Sequence, residues 1–163
     1  MNAPIASMST IVCRPAQLSD VPALARIRAQ DWGDEEYWLR RVTAYMQGES
    51  HPQQSLPERV VFVAECEERV VGLVAGHLTR RYKCDGELEW INVLSEYQRR
   101  GVASVLLRRL AEWFKERNAL RICVDVQPKN TVARSFYRQH GAEDLNLHWL
   151  VWPDIRRALE VQR

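Results

Sequence analysis

Two patterns of hydrophobic and polar residues run along the chain, and they distinguish predicted strands from predicted helices. Runs rich in valine, isoleucine and other apolar residues, bounded by turn residues, predict strands. Apolar residues that recur every three or four positions predict helices with one buried face. The predicted strands cover residues 11–14, 60–66, 70–79, 87–94, 119–126 and 145–151. The predicted helices cover residues 21–30, 35–47, 105–117 and 131–140.

Short local signals indicate where several of these helices begin and end. Asp20, Asp34 and Asn130 stand where the first, second and fourth helices need an N-cap. Gly141 is suited to end the fourth helix, and the polar stretch 48–57 is expected to be an exposed loop. The resulting order, β-α-α-β-β-β-α-β-α-β, combines a hairpin with strand–helix–strand units. It therefore predicts a mixed α/β sheet with helices on both faces.

Length and charge limit the classes of protein to which the chain can belong. Its 163 residues suit one domain, and its formal net charge is only +2. The basic residues fall in short pairs without a basic tail, which does not favour a general nucleic-acid binder. No hydrophobic run approaches a membrane span. We therefore expect a single domain over residues 11–163 with neither nucleic-acid nor membrane partners.

The cysteines and the N-terminus indicate the compartment. The four cysteines form no C-x-x-C pair and fit no zinc pattern, and three lie in apolar runs where a free thiol packs as a small hydrophobe. Residues 1–10 have no basic start and no apolar stretch, so they are expected to be a flexible tail rather than a secretion signal. These features favour a cytoplasmic protein with reduced cysteines.

The stretch 98–104, between a predicted strand and a predicted helix, has the chemistry of an anion site. The first turn of a helix leaves backbone N–H groups without helical partners, at the positive end of the helix dipole. Gly101 allows the backbone to approach a ligand closely, and Arg99 and Arg100 add positive charge. These features favour a phosphate group as the ligand.

A second pattern, N-x-x-A-x-x-F-Y-x-x-x-G, lies on the fourth predicted helix. Asn130, Ala133 and Tyr137 fall near one face of that helix. Asn130 can cap the helix and still reach a cofactor, while Ala133 leaves room beside it. Taken alone, the pattern is equally consistent with an ordinary N-cap followed by Phe136 and Tyr137 in the core.

Together, the two patterns resemble those of the GNAT superfamily of N-acetyltransferases. Gln98-x-x-Gly101-x-Ala103 resembles the loop that holds the diphosphate of acetyl-coenzyme A in that family, and the second pattern matches a family helix at every fixed position. The order of elements also matches, from residue 11 to about residue 152. The resemblance implies a GNAT-like fold, with a central, mostly antiparallel sheet flanked by helices, and acetyl-CoA as co-substrate.

The resemblance also implies roles for individual residues. In the family, the central strand separates from the next one, and pantetheine pairs with the exposed backbone as an added strand would. The tyrosine at the position of Tyr137 lies by the coenzyme sulfur, where it can protonate the departing thiolate. Ser95 stands where the family often has proline, and serine also suits a turn. The expected cofactor-binding residues are Val93, Leu94, Gln98, Arg99, Arg100, Gly101, Val102, Ala103, Ser104, Asn130, Ala133 and Tyr137.

Acyl transfer to an amine needs a group that accepts the amine proton, because alkyl amines are mostly protonated near neutral pH. Strand alternation predicts that Glu87, Glu89, Ile91 and Val93 share one face of the central strand. Family members often place their base, or the residues that hold a relay water, at these two glutamate positions. We expect Glu89 to be the base, directly or through water, with Glu87 as a helper or substrate contact. The alternative is that both are solvated residues at the start of a strand.

Aromatic residues are candidates for the acceptor site, because the two N-terminal helices flank that site in the family. Trp32, Trp38 and Trp90 are the expected substrate-binding residues, and the acidic side chains within 31–36 would suit a cationic amine. Packing in the core or at an interface is the alternative for each tryptophan. His77, His140 and His148 have no metal-ligand partners at useful spacing, so we expect structural roles for them and no metal site.

The sequence thus predicts an acetyl-CoA-dependent N-acetyltransferase that works by direct transfer to a primary amine in a ternary complex. The alternative is a domain that binds acetyl-CoA without catalysis and acts as a sensor or partner-binding module. The acceptor, a small-molecule or peptide amine, stays open, as does the use of other acyl-CoAs. A homodimer is also open, with the predicted strand around residues 149–152 as the candidate contact.

Overall fold

The computed structural model describes residues 10–160, and a seven-stranded sheet forms its centre. The strands are β1 (Val12–Pro15), β2 (Ser55–Cys66), β3 (Arg69–Thr79), β4 (Gly86–Val93), β5 (Ile122–Asp125), β6 (Glu143–Asp144) and β7 (Trp149–Trp152). They lie in the order β1-β2-β3-β4-β5-β7-β6. All neighbours are antiparallel except β4 and β5, which are parallel. The predicted mixed, mostly antiparallel sheet is confirmed.

Four α-helices flank the sheet, close to their predicted bounds. They are α1 (Val21–Ala29), α2 (Glu35–Met46), α3 (Val102–Glu116) and α4 (Thr131–Gln139). The caps at Asp34 and Asn130 are confirmed, because each side chain accepts a backbone N–H from three residues further on. Asp20 does not cap α1; its carboxylate is held by Arg14 and the backbone N–H of Gln17. No helix within residues 10–160 is both long enough and apolar enough to cross a bilayer.

Two strands differ most from their predicted bounds, and in the first of them pairing with a distant strand overrides the local turn signals. Strand β2 begins at Ser55, inside the predicted loop 48–57, since Ser55 pairs with Thr79 on β3. The predicted last strand 145–151 is shorter in the structure: it is β7, which starts at Trp149 and pairs with the two-residue β6 that lies before the predicted range. Strand β7 is buried and bordered on both sides by β5 and β6, which does not favour it as the contact with a second copy of the chain, and a homodimer stays a prediction.

The helices occupy opposite faces of the sheet. Helices α1 and α2 cover the face that carries Trp90, with Tyr45 of α2 against its ring. Helix α3 covers the other face, where a Cβ atom on Gly76 would lie only 2.8 Å from Leu110 Cδ1. Glycine at this position therefore lets α3 approach the sheet closely. The four cysteines are free and three of them are buried, as predicted for small apolar side chains.

A β-bulge interrupts the central strand β4. Gly76 on β3 pairs with Leu88, whereas its neighbour Ala75 pairs with Trp90. Glu89 is therefore an extra residue on β4, and the alternation of side chains changes phase there. Bulges of this kind redirect a side chain, and here the redirected residue is the predicted base.

The bulge changes which residues share a face of the sheet. Glu87 lies opposite His77 on the side of α1 and α2, and the Glu89 carboxylate also lies on that side, 4.0 Å from a His77 nitrogen. Ile91 and Val93 follow the bulge and fall on the α3 face. The prediction that all four share one face is therefore wrong for Ile91 and Val93, since uniform alternation does not allow for an inserted residue.

Candidate active site

Strands β4 and β5 pair at one end only. The parallel pairs are Gly86 with Ile122, Glu87 with Cys123 and Leu88 with Val124. Beyond Leu88, β4 continues to Val93 without a partner on that side among residues 10–160. The separation of the two strands expected from the family resemblance is therefore present, and it leaves backbone groups of residues 89–93 available in a gap.

At the end of β4, the backbone N–H of Val93 points into this gap. The Leu94 N–H donates to the carbonyl oxygen of Val71 on β3 at 2.8 Å. Because successive backbone groups of a strand point in opposite directions, the N–H of Val93 points away from β3. The Val93 carbonyl accepts a hydrogen bond from the Gln98 side chain at 3.1 Å, which ties the following turn to the end of the strand.

The turn from β4 to α3 is open to solvent and has the backbone form that its sequence predicts. Gly101 is the N-cap of α3 with φ of 83°, and no atom lies within 4 Å of where its Cβ would be. Its carbonyl oxygen accepts the Val105 N–H, so the three N–H groups of residues 102–104 precede the first α-helical hydrogen bond. Arg99 and Arg100 are exposed beside them. The free N–H groups, the two arginines and the positive end of the α3 dipole together favour an anion at this turn.

A buried contact connects this turn to α4. The Ser104 hydroxyl lies 3.1 Å from Nε2 of His140, whose Nδ1 lies 2.8 Å from the carbonyl oxygen of Phe136. Burial lowers the pKa of His140, so the ring is neutral near pH 7, with a proton on Nδ1 and an acceptor at Nε2. His140 thus fixes the start of α3 against the end of α4, consistent with the structural role expected for it.

Helix α4 presents Tyr137 toward the interior. Its ring is 5% exposed and packs edge-on against Trp152 at a centroid distance of 5.6 Å. Burial, reinforced by the charge of Asp125, raises the pKa of Tyr137 although Arg28 opposes the shift. The phenol therefore keeps its proton near neutral pH. Asn130 uses its side-chain oxygen as the helix cap.

The two glutamates of β4 lie in different surroundings although they are close together. Arg81 Nε donates to Glu87 Oε1 at 3.1 Å, and His77 Nε2 lies 3.6 Å from the same oxygen. Glu89 has no arginine hydrogen bond within residues 10–160 and lies 4.0 Å from His77 Nδ1. The negative charge of Glu87 is thus balanced by Arg81, whereas the charge of Glu89 is less well balanced by neighbouring positive groups.

Burial raises the pKa of Glu89 to about 7, and the negative charge of Glu87 adds to the effect. His77 and Arg41 oppose it by favouring the ionised form. A carboxyl group with a pKa near neutrality can both accept and release a proton under physiological conditions. The alternative that both glutamates are solvated is excluded by their burial in this structure.

His77 is the residue of this cluster that the sequence prediction missed. Its side chain is fully buried, Nδ1 lies 2.9 Å from the Tyr45 hydroxyl, and Nε2 has no hydrogen-bond partner. The β3–β4 register places it opposite Glu87, a signal that depends on the exact pairing of the two strands. Ligand atoms of His77, Glu87 and Glu89 lie within 4.8 Å of one another, so they could hold a metal ion. Arg81 already supplies positive charge to Glu87, so this set does not require one.

The predicted aromatic residues do come together beside this cluster. The ring centroids of Trp32 and Trp38 are 5.0 Å apart, and those of Trp38 and Trp90 are 5.8 Å apart. Trp32 is 57% exposed, whereas Trp38 is 1% exposed and lies in the core. The guanidinium of Arg28, on α1, covers Trp38 at 4.2 Å from its ring centroid. Only Trp32 of the three presents a large free surface.

The chain matches a known protein family over most of its length. The profile of the Acetyltransferase (GNAT) family matches residues 21–142, which is most of the chain. A search among curated proteins found no match.

Solved structures share the fold at low sequence identity. A PaiA N-acetyltransferase from Thermoplasma acidophilum in complex with coenzyme A is 15% identical, with a TM-score of 0.65 over 87% of this chain and 97% of that one. A ribosomal-protein-alanine N-acetyltransferase from Brucella melitensis is 21% identical, with a TM-score of 0.64 over 86% and 96%. A spermidine N-acetyltransferase SpeG chimera from Vibrio cholerae and hSSAT is 16% identical, with a TM-score of 0.66 over 93% and 99%.

Proposed function

The chain belongs to the GNAT family of acetyltransferases, and we propose that it moves an acetyl group from acetyl-CoA to a primary amine by direct transfer in a ternary complex. The observation that carries this proposal is the position of Glu89. Its buried carboxyl, with a pKa raised to about 7, lies on β4 where the gap toward β5 opens. The phosphate-binding turn closes the same strand, so a coenzyme held by that turn can extend into the gap.

The coenzyme is proposed to lie along β4 and the start of α3. Its diphosphate accepts hydrogen bonds from the N–H groups of residues 102–104, with Arg99 and Arg100 adding charge. Its pantetheine arm pairs with the exposed backbone of β4, beside Ala133 and Asn130 of α4. The Val93 N–H donates to the thioester carbonyl and stabilises the oxyanion that develops there.

The chemistry proposed for the ternary complex uses two side chains for proton transfer, and solvent takes the remaining proton of the nitrogen. Glu89, directly or through water, takes a proton from the ammonium of the acceptor, and the neutral nitrogen then attacks the acetyl carbonyl carbon. A C–N bond forms as the C–S bond breaks, Tyr137 gives its proton to the departing thiolate, and the nitrogen releases its second proton to solvent, which leaves a neutral amide. Glu87 stays paired with Arg81 and raises the proton affinity of Glu89. Solvent restores the proton of Tyr137.

Two measurements test this proposal. Calorimetric titration with acetyl-CoA should show binding to the wild-type protein. Separation and quantification of free coenzyme A, across a panel of amines, should show acetyl transfer; a thiol reagent is less suitable because the chain carries four free cysteines. Coenzyme binding without transfer to any amine would favour the sensor alternative, and absence of both would refute the proposal.

A matched pair of glycine variants isolates the phosphate-binding turn. Gly101 and Gly48 have φ of 83° and 74°, and neither has an atom within 4 Å of an added Cβ. Valine therefore introduces similar backbone strain at both positions, but Gly48 lies in the loop after α2, away from the proposed coenzyme site. Only Gly101→Val should weaken coenzyme binding, by roughly tenfold or more. Equal affinities for the two variants would contradict the assignment of the diphosphate to this turn.

A further inference from the structure

A largely buried cation lies at the centre of the aromatic cluster where an acceptor was expected. The guanidinium carbon of Arg28 is 4.2 Å from the ring centroid of Trp38 and 5.4 Å from that of Trp90. Arg28 Nη1 also donates to Asn92 Oδ1, at 2.5 Å. The aromatic surface that would attract a cationic substrate is therefore already occupied by a side chain of the protein.

This guanidinium is poorly satisfied by its own protein. Its Nε is buried without a hydrogen-bond partner, and within residues 10–160 Asn92 is its one hydrogen-bond acceptor. Burial lowers the pKa of Arg28 to about 10, although the charges of Asp31 and Glu89 favour the cation. Arg28 therefore remains charged at neutral pH, and a carboxylate would compensate both its charge and its unused donors.

The surroundings of Arg28 place it beside the reacting groups. Its guanidinium carbon lies 5.4 Å from the ring centroid of Trp90, the residue after Glu89 on β4, and its charge acts on both Glu89 and Tyr137. An acceptor whose nitrogen is within reach of Glu89 therefore lies in the electrostatic range of Arg28 as well. A molecule with an ammonium at one end and a carboxylate at the other would match the two opposite charges.

The acidic residues that were expected to attract a cationic amine are engaged elsewhere. Asp31 accepts a hydrogen bond from Asn92 Nδ2, and Asp34 caps α2. Glu35 and Glu36 lie 3.9 Å from Arg26 and 3.5 Å from Arg40, respectively. The side of the site formed by α1 and α2 therefore offers a guanidinium with unused hydrogen-bond donors, whereas these acidic side chains already have partners.

We propose that the acceptor is a small amine that carries a carboxylate, such as a free amino acid, and that Arg28 determines this specificity by binding the carboxylate. The inference rests on the proposed acetyl transfer and specifies its substrate class. Glu89 receives the proton of the ammonium while Arg28 holds the other end. Polyamines lack the carboxylate, and in a protein N-terminus the corresponding group is an uncharged amide, so both are expected to be poor acceptors.

The test compares matched sets of three acceptors: an amino acid, its carboxamide and the amine that lacks the carboxyl group. Several side chains and a polyamine are included, and coenzyme release is measured with the wild-type protein, Arg28→Gln and Arg28→Lys. Arg26→Gln is the control, because Arg26 belongs to the same helix and its side chain is 62% exposed. Thermal unfolding and acetyl-CoA titration of each variant report folding and coenzyme binding separately from acceptor use.

We expect the wild-type protein to favour the amino acid over its carboxamide by roughly 10- to 100-fold in kcat/KM, as for a charged hydrogen bond. Arg28→Gln should remove this preference, chiefly through KM; Arg28→Lys should keep part of it, and Arg26→Gln should keep all of it. An equal loss for all three acceptors in Arg28→Gln would show a purely structural role and overturn the inference.

The wild-type protein alone also decides the question if Arg28→Gln does not fold. Acetyl transfer that favours carboxamides, simple amines or polyamines would overturn the carboxylate inference and leave the proposed acetyl transfer intact. Failure to bind acetyl-CoA, or failure to acetylate any amine, would instead overturn the proposed function, and the inference with it.

Discussion

Replacing Glu89 with glutamine is expected to slow acetyl transfer and, at the same time, to stabilise the folded protein above neutral pH. The two effects have one cause. Burial, together with the charge of Glu87, raises the pKa of the Glu89 carboxyl from an ordinary value of 4.5 to about 7. The ionised form that accepts a proton is therefore the form that the folded protein tolerates least. Glutamine has a similar shape and cannot ionise.

The sign and size of the stability effect follow from the two pKa values. Because the folded pKa is the higher one, the stability contributed by the bound proton is fully present below about pH 4.5 and is lost as the pH rises through about 7. The interval between these values corresponds to about 3 kcal/mol of unfolding free energy. The advantage of Glu89→Gln over the wild-type protein should therefore grow across this interval and approach about 3 kcal/mol at most.

Chemical denaturation at several pH values between about 5 and 8 measures this difference without any substrate. Glu49→Gln is a matched control, because Glu49 is exposed and lies outside the candidate site. The control should follow the wild-type curve, whereas Glu89→Gln should depart from it progressively as the pH rises. A constant offset between Glu89→Gln and the wild-type protein would refute the raised pKa, whatever its sign.

Activity supplies the second half of the test. Loss of a general base typically lowers a rate by roughly 10²- to 10⁴-fold. With saturating acceptor, kcat of the wild-type protein should rise with pH, reach half of its maximum near pH 7 and level off at higher pH, because Glu89 must be ionised to take the proton. This rise should be absent in Glu89→Gln. A variant that gained stability but kept full kcat would show that Glu89 is buried and strained without being the base.

Three further predictions concern the rest of the site. Tyr137→Phe should lower kcat by roughly 10-fold or more and leave acetyl-CoA affinity nearly unchanged, since it removes a proton donor and little surface; equal losses in both would contradict the proposed role. His77→Phe should lower the melting temperature and alter the pH dependence of kcat, because it removes the ring that lies between Glu87 and the Tyr45 hydroxyl. An unchanged pH profile of kcat would show that His77 does not influence the proton transfer to Glu89. Gly76→Val should destabilise the fold by roughly 1–3 kcal/mol in denaturation experiments, because its side chain would overlap Leu110, and a variant as stable as the wild type would contradict the close approach of α3.

Much of the fold and the proposed coenzyme site could be predicted from local order in the chain. Asp34 and Asn130 cap their helices in the structure as predicted, because a cap depends on a residue and the backbone three positions later. The left-handed Gly101 between β4 and α3 depends similarly on neighbours in sequence. The spacing of apolar residues correctly separated helices from strands. The buried face of a helix or strand only has to be apolar, whichever other element packs against it.

The acceptor side was decided by tertiary structure. The bulge at Glu89 arises from the register between β3 and β4, which depends on the summed packing of both strands against helices on both faces. The same register places His77 beside Glu87, and no spacing along the chain reveals that pair. Arg28 covers Trp38 and Trp90 only once α1, α2 and β4 have packed together, whereas the tryptophans and acids in the sequence predicted that the acceptor's cation would cover them. Local backbone requirements are encoded within a few residues, whereas charge compensation in a buried site depends on which distant side chains the completed fold brings into contact.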